Sequence, residues 1–130
     1  MKEEYVTNFQ YIHPNQWEVM DNKKLKNLCL TIATKVVPMN DGRRNTVIWS
    51  VALKNPKDKF DKKIAREAAE INGMDITLSG QIYFDAKFSR NDIITKILSN
   101  LYYEEYELPT TYKYYVRYLL SQYYWKLKVE

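Results

Sequence analysis

The stretch that decides the fold is Leu28-Cys29-Leu30-Thr31-Ile32-Ala33-Thr34-Lys35-Val36-Val37, followed after a break by Thr46-Val47-Ile48-Trp49-Ser50-Val51-Ala52-Leu53-Lys54. In the first half Leu28, Leu30, Ile32, Thr34 and Val36 alternate with Cys29, Thr31, Ala33, Lys35 and Val37. In the second half Val47, Trp49, Val51 and Leu53 share one parity. Successive strand side chains point to opposite faces, so a period of two predicts strands with one face set apart for the core. Between the halves, Pro38 to Asn45 contains Asn40-Asp41-Gly42, a turn signal in which Gly permits positive φ. The pair predicts an antiparallel hairpin over 28–54, with Arg43 and Arg44 near its tip.

Downstream, Asn55-Pro56 ends the second strand, because proline has no amide to give a ladder and restricts the residue before it. A helix over 59–72 is then expected. Asp58 is its candidate N-cap, Phe60, Ile64, Ala68 and Ile71 its inward stripe, and Gly73 its C-terminal stop. Asp75 to Phe84, interrupted by Ser79-Gly80, reads as a third strand or a second hairpin. Ser89 is placed to cap a helix over 90–103 with Ile93, Ile97, Leu98 and Leu101 inward. Beyond Pro109, Thr110 or Thr111 caps a last helix over 111–127, whose buried stripe is Tyr115, Val116, Leu119, Leu120 and Tyr123. Upstream of the hairpin the reading is thinner: a short strand within Tyr5 to Ile12, broken by His13-Pro14-Asn15. The expected fold is α+β, a small antiparallel sheet built on the hairpin and covered by about three helices.

The 130 residues suit a single domain, 1–130, and 45% hydrophobic with 15% aromatic content excludes a disordered chain. One cysteine, Cys29, excludes an internal disulfide framework and a multi-cysteine metal site. There is no apolar run of membrane-spanning length, and Met1-Lys2-Glu3-Glu4-Tyr5 lacks a signal-peptide core, so the expected location is cytoplasmic, with no membrane partner. His13 is the only histidine, which excludes a histidine-rich zinc site or an HExxH helix. A nucleophile pair of Cys29 with His13 competes with a structural cysteine, which a strand position favours. Asp61-Lys62-Lys63 has the D-x-K ending of many metal-dependent nucleases, but those carry it on a strand, and here it falls in a helix whose solvated face explains it. Phosphate-binding glycine loops are absent from the sequence. No enzymatic activity, cofactor or metal is expected.

Charge and aromatic residues are unevenly spread. Residues 1–65 carry 12 Lys and Arg against 7 Asp and Glu, whereas residues 66–130 carry 8 against 9. Segment 54–66 alone has six bases against two acids, a surplus equal to the chain's net +4. Arg43, Arg44, Lys57, Lys59, Lys62, Lys63 and Arg66 are therefore the candidates for contact with phosphate or nucleic acid. The rival explanation is a solvated helix face, the usual reason for a charge run. At the other end, nine of the 12 tyrosines lie between Tyr102 and Tyr124. One stripe of them must be core. Tyr114, Tyr118 and Tyr124 fall outside that stripe and are expected to serve a host-protein interface or self-association. Base stacking on these rings is disfavoured by the nearby Glu104, Glu105 and Glu107.

The run from Ala52 to Ala69 resembles a pattern in small bacteriophage-encoded proteins of uncharacterised function: a strand, then P-x-D-x-F, a basic residue two positions on, and [GA]-R after it. Pro56, Asp58, Phe60, Lys62, Ala65 and Arg66 carry the match, which covers under a fifth of the chain. The resemblance implies a viral origin, and with it a host-cell location and an accessory role, inhibitory or anti-defence, exerted by binding a host macromolecule. The alternative function is binding of nucleic acid or nucleotide through the basic 54–66 segment.

Overall fold

The computed structural model describes residues 6–39, 43–69, 78–85, 88–104 and 106–129, with residues 123–129 described by backbone alone. The fold is α+β. The chain divides into two compact units, Met1–Ala86 and Lys87–Glu130.

The first unit is built on a four-stranded antiparallel sheet in sequential order: β1 (Asn8–Ile12), β2 (Leu30–Pro38), β3 (Arg44–Leu53) and β4 (Leu78–Asp85). The expected hairpin is its centre, with β2 and β3 paired from Leu30 opposite Leu53 to Pro38 opposite Asn45. The amide of Met39 donates to the Arg44 carbonyl at 2.9 Å and closes the ladder. The expected turn at Asn40-Asp41-Gly42 lies outside the described residues. Register puts Ile12, Leu30, Ile32, Val47, Trp49, Val51 and Ile82 on one face, and all of these are buried. The two-residue period thus names this face, but it does not separate buried from wet side chains: Thr31, Ala33, Ser50 and Ala52 on the opposite face are buried too, while Thr34, Val36 and Leu53 of the named face are half-buried. β2 begins at Leu30, two residues later than the alternation suggested, although Leu28 and Cys29 are buried as well.

Ser79 and Gly80 do not interrupt β4. They lie inside it, with Gly80 opposite Trp49. A Cβ on Gly80 would stand 2.9 Å from Trp49 Cζ2, so the glycine leaves room for an indole that is fully buried. The residue that looked like a break is a packing device.

Between β1 and β2 the chain makes an excursion: helix α1 (Gln16–Asp21), then a single 3-10 turn at Lys23–Leu25. Asn15 and Glu18 form a reciprocal capping box at the start of α1. Asn27 then adopts φ 67°, the left-handed region that asparagine enters more readily than most residues, and turns the chain back into β2.

Helix α2 (Lys62–Ala68) is shorter than expected and differently rotated. Its cap is Asp61, whose carboxylate accepts from the amides of Lys63 at 2.9 Å and Ile64 at 3.2 Å. Asp58, the expected cap, instead sits in a turn where its amide donates to the Asn55 carbonyl. Phe60 and Ile64, expected inward, are exposed. The reason lies on the facing sheet. Ala69 packs into a cluster with Ala33 and Ala52, beside the partly buried Phe9. Small residues on both surfaces let helix and sheet approach closely, so the Ala65–Ala69 side wins over the bulkier Ile64 one residue away, and Phe60 falls ahead of the cap, outside the helix. Ile71 and Gly73 lie outside the described residues.

The second unit pairs two helices, α3 (Arg90–Tyr103) and α4 (Thr110–Val129). Ser89 caps α3 in a reciprocal box with Asp92, and Ile93, Ile94, Ile97, Leu98 and Leu101 are buried. In α4 the Pro109 carbonyl accepts from the Lys113 amide, so proline holds the cap position expected for Thr110 or Thr111. Tyr115, Val116 and Leu119 are buried as expected and Tyr112 joins them, while Leu120 is half-buried. Tyr123 is among the residues described by backbone alone. Among the described residues no helix is long and apolar enough to cross a membrane.

Candidate functional site

The C-terminal end of β1, the start of β2 and the end of β3 meet at one end of the sheet, since Ile12 pairs with Leu30 and Leu30 with Leu53. The segments leaving these strand ends enclose an open cleft of about 480 Å³, a size suited to a small ligand. His13, Asn27 and Cys29 line it on one side, and Lys57, Lys59 and Phe60 on the other.

The second side is a rigid turn. Asn55 Oδ1 accepts from the Lys57 amide at 3.0 Å, and Lys54 Nζ donates to the carbonyls of Asn55 at 3.2 Å and Asp58 at 2.5 Å. Lys54 is thereby committed to its own backbone. Lys57 and Lys59 are exposed on the same turn, and among the described residues neither side chain makes an ion pair or hydrogen bond. Asp58 is the one acid on this wall.

Cys29 lies at the floor of the cleft. Burial pushes its thiol pKa up; a hydrogen bond with Thr31 and the charge of Lys54 act in the opposite direction but more weakly. A nucleophilic cysteine needs the reverse, a stabilised thiolate. The cleft therefore brings His13 and Cys29 to one place without the activation that the pair would require.

The basic candidates part company here. Lys62 and Arg66 are engaged with β1: Lys62 Nζ lies 5.4 Å from the centre of the Tyr11 ring, and the Arg66 guanidinium 5.5 Å from that of Phe9. Arg66 Nε also donates to the Tyr11 hydroxyl at 2.8 Å, and Phe60 meets Tyr11 edge-on at 5.5 Å. These two cations hold the helix to the edge strand. Lys63 is exposed and does not line the cleft. Arg43 and Arg44 stand at the opposite end of β3 from Leu53, about 30 Å away at some 3.3 Å per strand residue. Of the seven candidates, only Lys57 and Lys59 line the cleft. The α2 amides cannot cradle a phosphate, because the Asp61 carboxylate occupies them, which also accounts for the Asp61-Lys62-Lys63 motif as a cap.

In the tyrosine group, Tyr114 is exposed, whereas Tyr118 is half-buried with its ring stacked on Tyr115 at 6.4 Å. The side chain of Tyr124 lies outside the described residues. Tyr103, which sequence reasoning passed over, is the most exposed ring among the described residues of the second unit and meets Tyr102 edge-on at 4.9 Å. Its position two residues after Leu101, the last of the apolar stripe of α3, was the available signal. Sequence reasoning likewise missed the exposed Trp17 and Met20 of α1, three apart and so on one helix face. Among the described residues no group of three or more His, Cys, Asp and Glu side chains is placed to share a metal ion. Comparisons with protein-family models, curated proteins and solved structures returned no match.

Proposed function

We propose that this chain is a non-enzymatic binding protein and that the cleft beside Phe60 receives a phosphate-bearing ligand of the nucleotide or nucleic-acid class. The observation that carries this reading is the pairing of Lys57 and Lys59, exposed on a braced turn, with an aromatic ring and an imidazole at the same opening. Lysines hold phosphate as point charges, and a ring offers a base a face. The test is titration with a nucleoside monophosphate and with single-stranded DNA at low salt. Binding should fall as salt rises, through counterion release, and be lost in Lys57→Glu with Lys59→Glu. Absence of binding by the unaltered chain at low salt would end the proposal.

A second reading is a host-protein or self-association surface on the second unit, favoured by the exposure of Tyr103 and Tyr114. Light scattering across a dilution series, on the chain and on Tyr103→Ser with Tyr114→Ser, tests self-association. Either reading suits the phage-type accessory role, inhibitory or anti-defence, that the Pro56–Arg66 resemblance implies.

A further inference from the structure

The excursion that leaves the cleft at Pro14 and re-enters it at Asn27 has a surface of its own. Trp17 and Met20 are 67% and 69% exposed, among the largest values for apolar side chains of the described residues. Lys23, Lys24 and Lys26, also exposed, follow directly, and among the described residues none of the three makes an ion pair. Trp17 is three residues from Pro14, so the two Cα atoms lie within about 11 Å of each other. Residues 13–29 and 54–67, which flank the cleft on both sides, carry nine lysines and arginines against five acids. The entire +4 surplus of the chain is thus concentrated at this end of the sheet.

A large exposed aromatic ring is unfavourable to keep wet unless something covers it. Positive surplus beside it selects a polyanion as the occupant. Among polyanions, the exposed rings of Trp17 and Phe60, each with lysines near it in the chain, match a strand whose bases are unpaired, since every base has a face to stack and every linkage a charge. A duplex hides those faces. We infer that α1 and the 3-10 turn extend the cleft into a track for single-stranded nucleic acid: Trp17 stacks a base, Lys23 and Lys24 take backbone phosphates, and Lys57 and Lys59 hold the nucleotide in the cleft. This inference rests on the phosphate-binding reading above and specifies its ligand.

The experiment compares four probes on the full chain: a nucleoside monophosphate, an oligothymidylate of about twelve nucleotides, a length such surfaces occupy, a duplex of equal length, and phosphatidylserine vesicles. The oligothymidylate should bind more tightly than the duplex. Trp17→Ala should weaken it about tenfold, as loss of one stacked base does, while leaving the monophosphate unchanged. Trp17→Phe should restore most of the affinity. Lys23→Ala with Lys24→Ala should lower the salt slope by about 1.4, at about 0.7 per phosphate contact on a single strand. In a Trp125→Phe background, the strand should quench the emission of Trp17 and not that of the buried Trp49. Equal oligothymidylate binding by the chain and Trp17→Ala, with no quenching, overturns the track and leaves the cleft reading standing. Absence of binding to every nucleic-acid probe overturns both, and binding to vesicles alone assigns the surface to a membrane.

Discussion

Substituting Gly80 by alanine isolates the contact that sets the core of the sheet. The added Cβ would lie 2.9 Å from Trp49 Cζ2, 3.0 Å from Cε2 and 3.1 Å from Nε1. Carbon atoms in good contact sit at about 3.5–4.0 Å, so several tenths of an ångström must be found. Trp49 cannot easily supply them, because it is fully buried among Val47, Val51 and their neighbours. Overpacking of this kind costs about 1–3 kcal/mol. Against it stands a gain of about 0.4–1 kcal/mol, because alanine has less freedom than glycine to lose on folding. The net expectation is a loss of about 1–2 kcal/mol. Guanidinium unfolding followed by far-ultraviolet circular dichroism measures it. In a Trp49→Phe background the atoms that clash are absent, and Gly80→Ala should become neutral or mildly stabilising. The coupling between the two positions should then be about 1–2 kcal/mol. If Gly80→Ala stabilises the unaltered chain, or costs the same in both backgrounds, the glycine is not there for the indole.

Three further outcomes follow from the same geometry. Asp61→Ala should destabilise by about 1 kcal/mol through loss of the α2 cap, whereas Asp58→Ala should change stability by only a few tenths, both read from denaturant midpoints. Phe60→Ala should lose well under the roughly 3–5 kcal/mol typical of a buried aromatic, because the ring is 45% exposed and held mainly by Tyr11; a loss in the buried range would show that it belongs to the core after all. Cys29 has a raised thiol pKa in the folded chain, so its contribution to stability is full below the pKa of the unfolded thiol and is lost as pH rises through the folded value. Unfolding free energies at successively higher pH should therefore fall more steeply for the unaltered chain than for Cys29→Ala, with identical slopes refuting the assignment.

Much of this architecture is legible in the residues themselves, for physical reasons that are local. The alternation names one buried face of the hairpin, that of Leu30, Ile32, Val47, Trp49 and Val51, because a strand has two sides and one of them must leave water; that Ala33 and Ala52 on the other side are buried as well depends on the helix packed there. Ser89 with Asp92 announces the start of α3, because the cap and its reciprocal bond are made within four residues. Basic character in 54–66 is likewise visible without coordinates.

What only the tertiary structure decided depended on what lay opposite. The face of α2 that turns inward was set by Ala33 and Ala52 across the interface, which reward close approach over bulk and leave Phe60 and Ile64 outside. Gly80 reads as a break until Trp49 is seen lying against it. The seven basic candidates look alike in sequence, yet the fold commits Lys62 and Arg66 to the rings of β1, carries Arg43 and Arg44 to the far end of the sheet, and leaves Lys57 and Lys59 at the cleft. Charge is a property of the residue, but availability is a property of its neighbours, and those are chosen by strand pairing between segments far apart in the chain.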